Sequence, residues 1–444
     1  MKISVKIAGV VAAVAVMLAG SSLFAAEGFV KSTEQGKNGV TKFVLRSGAT
    51  VLVKEIPNGL VSFQVWYRTG SRDEQDNNNG ISHFIEHLIF KGSASSGVSG
   101  LSRLIEGRGG NLNGATSKDF TNFHFETAKE YFYVSLDGMM DCLANPAFDA
   151  GEIEKERKVV IEEIVRGDDD PGRKLYEELF KLSYPEHPYR REVIGTKDVL
   201  EKLTRADIVD YYTSKYSLER MIITVAGDFK SAELLPALEK HFPAGEGKPL
   251  TEGLRKKASF TPGREELSGS YSQGYYGSAW LGPAADNADT YAMDLLVTLL
   301  GSGRSSRLYS KLKEKEQLCY SLDMGYSTMR DEGLIYVTAE LLPDNRAMFD
   351  KRLLEELKEI CSEGVDAKEF AKALAILENS YVFSHETDSQ IAGDLGYNEA
   401  IINYKFGQDY LENVRKVTAA DLKRVALKYL SGVPASVCLL PAAK

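Results

Sequence analysis

His83, Glu86 and His87 lie within five consecutive residues of this 444-residue chain. The surrounding run, residues 81–92, is mostly apolar, lacks proline and ends at glycine, which predicts a short buried helix. Residues four apart share one face of a helix, so the two imidazoles can point at one metal ion, and zinc suits them. The alternative is a core helix with two structural histidines. Because the chain has only six histidines, two at this spacing favour the metal site.

A catalytic zinc site usually has three protein ligands, so another element must supply the third. A capping-box pattern at residues 149–152 predicts the start of a long helix over residues 153–166. Glu156 and Glu163 are seven residues apart on it and therefore lie on one face. From spacing alone, metal-binding roles and solvated helix charges are equally open for these two glutamates.

The pattern His83-x-x-Glu86-His87, followed further along the chain by Glu163, resembles the inverted H-x-x-E-H signature of the inverzincin metallopeptidases. That family includes pitrilysin, insulysin and mitochondrial processing peptidase. The resemblance implies that His83, His87 and Glu163 bind one zinc ion per chain. It also implies that Glu86 takes a proton from the attacking water and that Glu156 supports the ligands from behind.

This resemblance implies a zinc-dependent endopeptidase that hydrolyses unfolded peptides or small proteins inside a closed chamber. A chain of about 49 kDa matches the two-domain, half-length form of the family. Such chains pair with a second copy or a homologous chain, so a homodimer or heterodimer is expected. The alternative is a non-catalytic assembly subunit, which predicts damaged ligands. A metal-storage module would not need Glu86. The intact positions favour the enzyme.

Residues 111–123 follow the histidine helix and combine a glycine with an alternation typical of a strand. They resemble the family's edge strand, which pairs with an extended substrate by strand addition. Asn113, Gly114 and Thr116 are the candidate substrate-binding residues. For Thr116, an ordinary place in a hairpin strand is an equal alternative.

Residues 312–320 resemble the segment that carries the family's arginine and tyrosine, a pair that grips the substrate carbonyl. Tyr320 matches the tyrosine, whereas Lys313 stands at the arginine position and lacks the planar fork of a guanidinium. Either Lys313 serves as a plain positive charge, or a partner chain supplies the pair.

An internal duplication indicates how these segments are positioned. Thr204 and Thr418 begin similar segments, one in each half of the chain, and each segment leads into a predicted strand. The fold class predicted is α+β, with two homologous domains, each a mainly antiparallel sheet with helices packed on one face. The predicted divisions are a catalytic zinc-binding domain (27–243), a linker (244–263) and a non-catalytic, substrate-holding domain (264–444).

The second half lacks the ligand pair. Residues 291–296 occupy the place of the histidine helix there and contain no histidine. One zinc site is therefore expected per chain.

Residues 1–26 have a basic start, an apolar stretch and small residues at a cleavage site, which predicts a signal peptide. A periplasmic location is expected, with secretion as the alternative. No other segment has the apolar length of a membrane helix, so no membrane anchor is expected.

The net charge of −9 argues against a nucleic-acid partner. The four cysteines show no C-x-x-C spacing, and buried free thiols are favoured over disulfides.

Overall fold

The computed structural model describes residues 28–251 and 255–442. The signal peptide predicted over residues 1–26 lies outside these ranges. Two sheets organise the chain, one of seven strands in the first half and one of five in the second. Within the described ranges, no helix combines the length and apolar character that a membrane crossing requires.

Within residues 28–251, the first half contains seven strands and eight α-helices. The strands are β1 (Val30–Gln35), β2 (Val40–Leu45), β3 (Thr50–Glu55), β4 (Leu60–Tyr67), β5 (Asn111–Thr116), β6 (Thr121–Ala128) and β7 (Met221–Gly227). The helices are α1 (Ile81–Ile89), α2 (Gly100–Ile105), α3 (Phe132–Ala144), α4 (Ala150–Asp168), α5 (Pro171–Ser183), α6 (Lys197–Leu200), α7 (Arg205–Lys215) and α8 (Ser231–Glu239).

Within residues 255–442, the second half contains five strands and six α-helices. The strands are β8 (Arg264–Gly269), β9 (Gly274–Leu281), β10 (Ser321–Ser327), β11 (Leu334–Leu341) and β12 (Ala435–Pro441). The helices are α9 (Asp289–Gly301), α10 (Arg346–Glu363), α11 (Ala367–Phe383), α12 (Asp388–Ile401), α13 (Lys405–Val414) and α14 (Ala419–Leu430). A π-helical segment, Tyr309–Lys315, lies between α9 and β10.

Both sheets are mainly antiparallel. The first has the order β1-β2-β3-β7-β4-β6-β5, in which only β3 and β7 pair in parallel. The second has the order β10-β11-β9-β12-β8, in which only β12 and β8 do. This arrangement confirms the predicted α+β class with two mainly antiparallel sheets.

The duplication inferred from the sequence recurs in the structure. Thr204 caps α7 and Thr418 caps α14, each through a reciprocal capping box with the aspartate three residues on. Each helix is followed by the strand that enters the interior of its sheet, β7 in the first half and β12 in the second. The two halves are therefore built on one plan.

One face of each sheet packs on helices of its own half. In the first sheet, Phe63, Val65 and Phe125 are fully buried against these helices. In the second sheet, Ile335 and Val337 are buried in the same way. Burying a side chain of this size contributes roughly 1.5–3 kcal/mol, so these faces supply much of the stability of each half.

The opposite face of each sheet is covered by one helix from the other half, which the sequence did not indicate. Helix α12 packs on β4 and β7, and Trp66 and Leu395 belong to the buried cluster there. Helix α5 packs on β9 and β12, and Leu179 and Val437 belong to the buried cluster there. Because β4 is buried on both faces, seven of its eight residues are buried.

A glycine permits the close approach at each of these crossings. A Cβ at Gly396 of α12 would lie 2.1 Å from the indole nitrogen of Trp66. A Cβ at Gly277 of β9 would lie 2.6 Å from a methyl carbon of Leu179. The division at residues 244–263 stays a prediction, but this exchange of helices ties the two halves together.

All four cysteines are buried and none forms a disulfide in the described structure, which agrees with the favoured assignment of free thiols.

Candidate metal centre

The start of α1 is held by a buried carboxylate. Gly80 precedes the helix at a φ of 95°, a conformation that favours glycine. The Glu74 carboxylate accepts hydrogen bonds from the backbone N–H groups of Gly80 (2.8 Å) and Ser82 (2.9 Å). These donors would otherwise be unsatisfied at a helix N-terminus. Glu74 therefore fixes the orientation of α1, and sequence reasoning missed it because its spacing matches no capping pattern.

Helix α4 is longer than the predicted 153–166. It spans Ala150–Asp168 and starts at Asp149, whose side chain accepts hydrogen bonds from two backbone N–H groups of the first turn. The predicted reciprocal bond, in which the backbone N–H of Asp149 would donate to Glu152, is absent, and the Glu152 carboxylate pairs with Lys155 at 2.6 Å. The N-cap prediction is thus confirmed, while the complete capping box is wrong.

The structure brings His83, His87 and Glu163 together. One ligand atom from each lies within 4.8 Å of the other two. The Nε2 atom of His83 is 4.0 Å from one Glu163 oxygen, and Nε2 of His87 is 3.6 Å from the other. Ligand atoms around one tetrahedral zinc lie roughly 3.3 Å apart, given bonds of about 2.0–2.1 Å. The observed spacing is slightly wider, and the two-imidazole, one-carboxylate set fits zinc.

Glu156 lies behind this cluster, where the resemblance placed it. One of its oxygens is 3.2 Å from Nδ1 of His87, and the other accepts a salt bridge from Lys91 at 2.6 Å. A carboxylate on Nδ1 leaves Nε2 to face a metal and fixes the orientation of the ring. Lys91 is a further supporting residue that the sequence did not single out.

Burial shifts the pKa of His83 in the cluster and of Glu86 beside it. It lowers the pKa of His83 to about 3, with help from the charges of His87 and Arg173, so this imidazole is neutral and able to bind a metal. Burial also raises the pKa of Glu86, and the hydrogen bond from Thr116 offsets this only in part.

Glu86 is held against β5. Its Oε2 accepts a hydrogen bond of 2.6 Å from the Thr116 hydroxyl. A Cβ at Gly114 would lie 3.0 Å from Cγ and Oε1 of Glu86 and 2.9 Å from the ring of Phe90. Glycine is therefore required here because the carboxylate lies directly on the strand.

The predicted strand over residues 111–123 is in fact two strands, β5 and β6, joined by a turn over residues 117–120. Strand β5 lies at the edge of the first sheet, beside α1. Asn113 is exposed on β5, and its side-chain oxygen accepts the N–H of Gly114 at 2.9 Å. The position of β5 allows an extended peptide to be added to the sheet next to Glu86.

A cavity of about 250 Å³ opens beside the cluster. Its walls include His83, Thr116 and Glu163, with Tyr176 and Phe180 of α5 opposite them. The metal candidates therefore face a space that can receive a side chain or a short peptide segment.

Comparisons with known proteins match both halves of the chain. Residues 50–197 match a family model described as insulinase (peptidase family M16), and residues 202–377 match one described as the peptidase M16 inactive domain. Together these matches cover most of the chain. The chain belongs to the M16 peptidase family.

Curated relatives of this M16 chain span nearly its whole length. An uncharacterized zinc protease of Mycobacterium leprae is 28% identical over 91% of this chain and 93% of its own. The uncharacterized zinc protease YmxG of Bacillus subtilis is 27% identical over 87% of this chain and 94% of its own. Both names refer to zinc-dependent proteolysis.

Solved structures share the fold. A protease from Helicobacter pylori has a TM-score of 0.82 at 25% identity and covers 90% of this chain and 99% of its own. A peptidase M16 inactive domain from Pseudomonas fluorescens has a TM-score of 0.84 at 20% identity, covering 91% and 98%. At 20% identity, the similarity to the Pseudomonas fluorescens structure shows a shared fold only.

Lys313 and Tyr320 lie in the second half of this M16 chain. Lys313 is in the π-helical segment, where its ammonium group donates to the Tyr309 hydroxyl at 2.7 Å and lies 4.5 Å from that ring's centroid. Tyr320 lies just before the edge strand β10 and is 53% exposed. Neither side chain lines the cavity at the metal cluster as the described residues define it, so their catalytic roles stay predictions.

If Tyr320 reaches the site when the halves close, Tyr320→Phe is expected to lower kcat by about 10²-fold with little change in KM, because an oxyanion contact matters chiefly in the transition state. Lys313→Arg should preserve or raise activity by restoring the guanidinium fork. Steady-state kinetics with and without a homologous partner chain test both variants. A fully active Tyr320→Phe enzyme in the absence of a partner would exclude the role in cis.

Proposed function

We propose that this chain is a zinc-dependent endopeptidase that hydrolyses unfolded peptides or small proteins. The observation that carries the proposal is the convergence of His83, His87 and Glu163 within 4.8 Å, with Glu86 held beside them by Thr116. A storage site would not need a fourth residue, the hydrogen-bonded carboxylate of Glu86, at the edge of the cluster. The zinc-protease names of the curated relatives support the same class of reaction.

The three candidate ligands would hold one zinc ion per chain. When bound, zinc polarises a substrate carbonyl and makes water a stronger acid. Glu86 accepts the proton of the attacking water and returns it to the leaving amine. Thr116 keeps the carboxylate in place through its short hydrogen bond, while the edge of β5 holds the peptide extended.

The proposal includes an exported, periplasmic enzyme that pairs with a second copy or a homologous chain to close a chamber. The pattern in residues 1–26 supports export, and the half-length of the chain supports pairing. Light scattering of the mature protein, alone and with a homologous chain, measures the pairing. A monomer under both conditions would contradict the chamber.

Replacement of His87 by alanine is expected to remove nearly all bound zinc, because it deletes one of three ligands together with the Glu156 contact behind it. Elemental analysis of the purified protein measures the zinc content. His241→Ala is the matched control, since this histidine pairs with Asp137 at 2.8 Å on another part of the first half. Full zinc occupancy in His87→Ala would contradict the assigned site.

A further inference from the structure

Helices α4 and α5 both line the cavity beside the candidate metal cluster, which we call the metal cavity. The second half of the chain repeats this pair of helices. Asp149 caps α4 and Asp366 caps α11, each accepting two backbone N–H groups. Asp170 caps α5 and Thr387 caps α12. The separation along the chain from Asp149 to Asp366 is identical to that from Asp170 to Thr387. Helices α11 and α12 are therefore the counterparts of α4 and α5.

A second cavity, of about 360 Å³, lies between the counterpart helices. It is lined from α9 by Asp294, much as α1 lines the metal cavity through His83. At the same separation along the chain, three residues of the metal cavity correspond to three that line the second cavity. The pairs are Glu163 with Ser380, Glu177 with Asp394, and Phe180 with Tyr397. The duplicated cavity has thus been kept while its metal ligands have been replaced.

The chemistry of the second cavity is anionic and aromatic. Among the described residues that line it are two carboxylates, Asp294 and Asp394, and no lysine, arginine or histidine. The rings of Tyr381 and Tyr410, both in its wall, stack with centroids 5.5 Å apart. Carboxylates among tyrosine rings attract organic cations, because the carboxylates carry negative charge and the ring faces have a negative electrostatic potential.

The two carboxylates have different partners. Asp294 accepts a hydrogen bond of 2.7 Å from the Tyr410 hydroxyl, and burial raises its pKa to about 7. Asp394 accepts from the Asn398 amide at 2.8 Å and lies 3.3 Å from Nε2 of His385, outside the cavity wall. Asp294 has no basic side chain within salt-bridge distance in the described structure, so a cation in the cavity would supply the opposite charge that it lacks.

We propose that this cavity binds an aliphatic ammonium ion between Asp294 and Asp394, with the tyrosine rings around its methylene groups. An ammonium group has three N–H donors, which match the two carboxylates and the phenol hydroxyls. The cavity has room for a short alkyl chain. Two sources share this chemistry, a free alkylamine and the lysine side chain of a peptide. The proposal does not depend on the metal centre or on catalysis.

Calorimetry with the full chain at mildly alkaline pH tests the proposal, with putrescine and Nα-acetyl-lysine amide as probes and n-butanol as the uncharged control. Saturable binding of either amine, accompanied by a rise in Tm, is expected, and n-butanol should produce neither. Binding of putrescine alone assigns the cavity to free amines, and binding of the lysine amide assigns it to lysine side chains. No binding of either amine overturns the proposal.

Three variants locate the binding. Asp294→Asn keeps a hydrogen-bond acceptor for Tyr410 but removes the negative charge. It should raise the Kd for the amine about tenfold or more, because a charge-assisted hydrogen bond is lost. Ser380→Phe, at the exposed position that corresponds to Glu163, should block the cavity without changing either carboxylate. Asp344→Asn, an exposed aspartate in the turn after β11, is the charge-matched control and should leave Kd unchanged. Unchanged affinity in both Asp294→Asn and Ser380→Phe would overturn the assignment.

Discussion

Replacement of Glu86 by glutamine is expected to lower peptide hydrolysis by about 10²–10⁴-fold, the usual contribution of a positioned acid–base group, while zinc stays bound. Glutamine has nearly the shape of glutamate, so it still fits against Gly114. At this glycine, a Cβ would lie only 3.0 Å from a carboxylate oxygen of Glu86. Its amide oxygen can accept the Thr116 hydroxyl, as Glu86 does at 2.6 Å. The substitution removes the negative charge of the carboxylate and with it the ability to take a proton.

Cleavage of an unstructured fluorogenic peptide measures this loss, and elemental analysis verifies the metal. Glu162→Gln is the matched control, because this glutamate is exposed on α4 beside the candidate ligand Glu163. It should retain both zinc and activity. If Glu86→Gln cleaved the peptide at close to the unmodified rate, another group would be the base and the proposed mechanism would be wrong.

Part of the candidate metal centre was predictable because helical periodicity determines which side chains share a face. One helical turn places His83 and His87 on a common face, and two turns place Glu156 and Glu163 on another. These spacings need no knowledge of the tertiary fold. The meeting of α1 with α4, however, came only from the resemblance to a known family, since the spacing of the two glutamates left their role open.

The supports around the centre were not predictable, because they join segments that carry no common pattern. Glu74 caps α1 from six residues before Gly80, and Lys91 reaches Glu156 on another helix. The exchange of α5 and α12 between the sheets was hidden for the same reason. In the sequence, this exchange is marked only by Gly277 and Gly396, which permit the close approach of the helices. A glycine in a strand or helix does not reveal which element packs against it.

A partly buried arginine joins the two halves in the structure. The Arg72 guanidinium bonds Asp119 at 2.8 Å and Asp331 at 2.7 Å, and Asp331 belongs to the turn between β10 and β11. His187 lies 3.1 Å from the same Asp331 oxygen. Burial alone would raise the pKa of Asp331, but the hydrogen bond from His187 and the charge of Arg72 lower it. Its contribution to stability is therefore fully present above the ordinary aspartate pKa and is lost as the pH falls through the lowered pKa of the folded state.

Arg72→Met is expected to destabilise the folded chain by about 3–5 kcal/mol, because it leaves two buried carboxylates without their cation. Urea unfolding followed by circular dichroism measures the change, and Arg304→Met, at an exposed arginine, should change it little. Adding Asp331→Asn to Arg72→Met should restore part of the loss, since the amide removes one buried negative charge that Arg72 no longer balances. An Arg72→Met chain as stable as the Arg304→Met control would mean that the paired charges contribute no net stability. The exchanged helices α5 and α12 would then contribute more of the contact between the halves than the Arg72 ion pairs do.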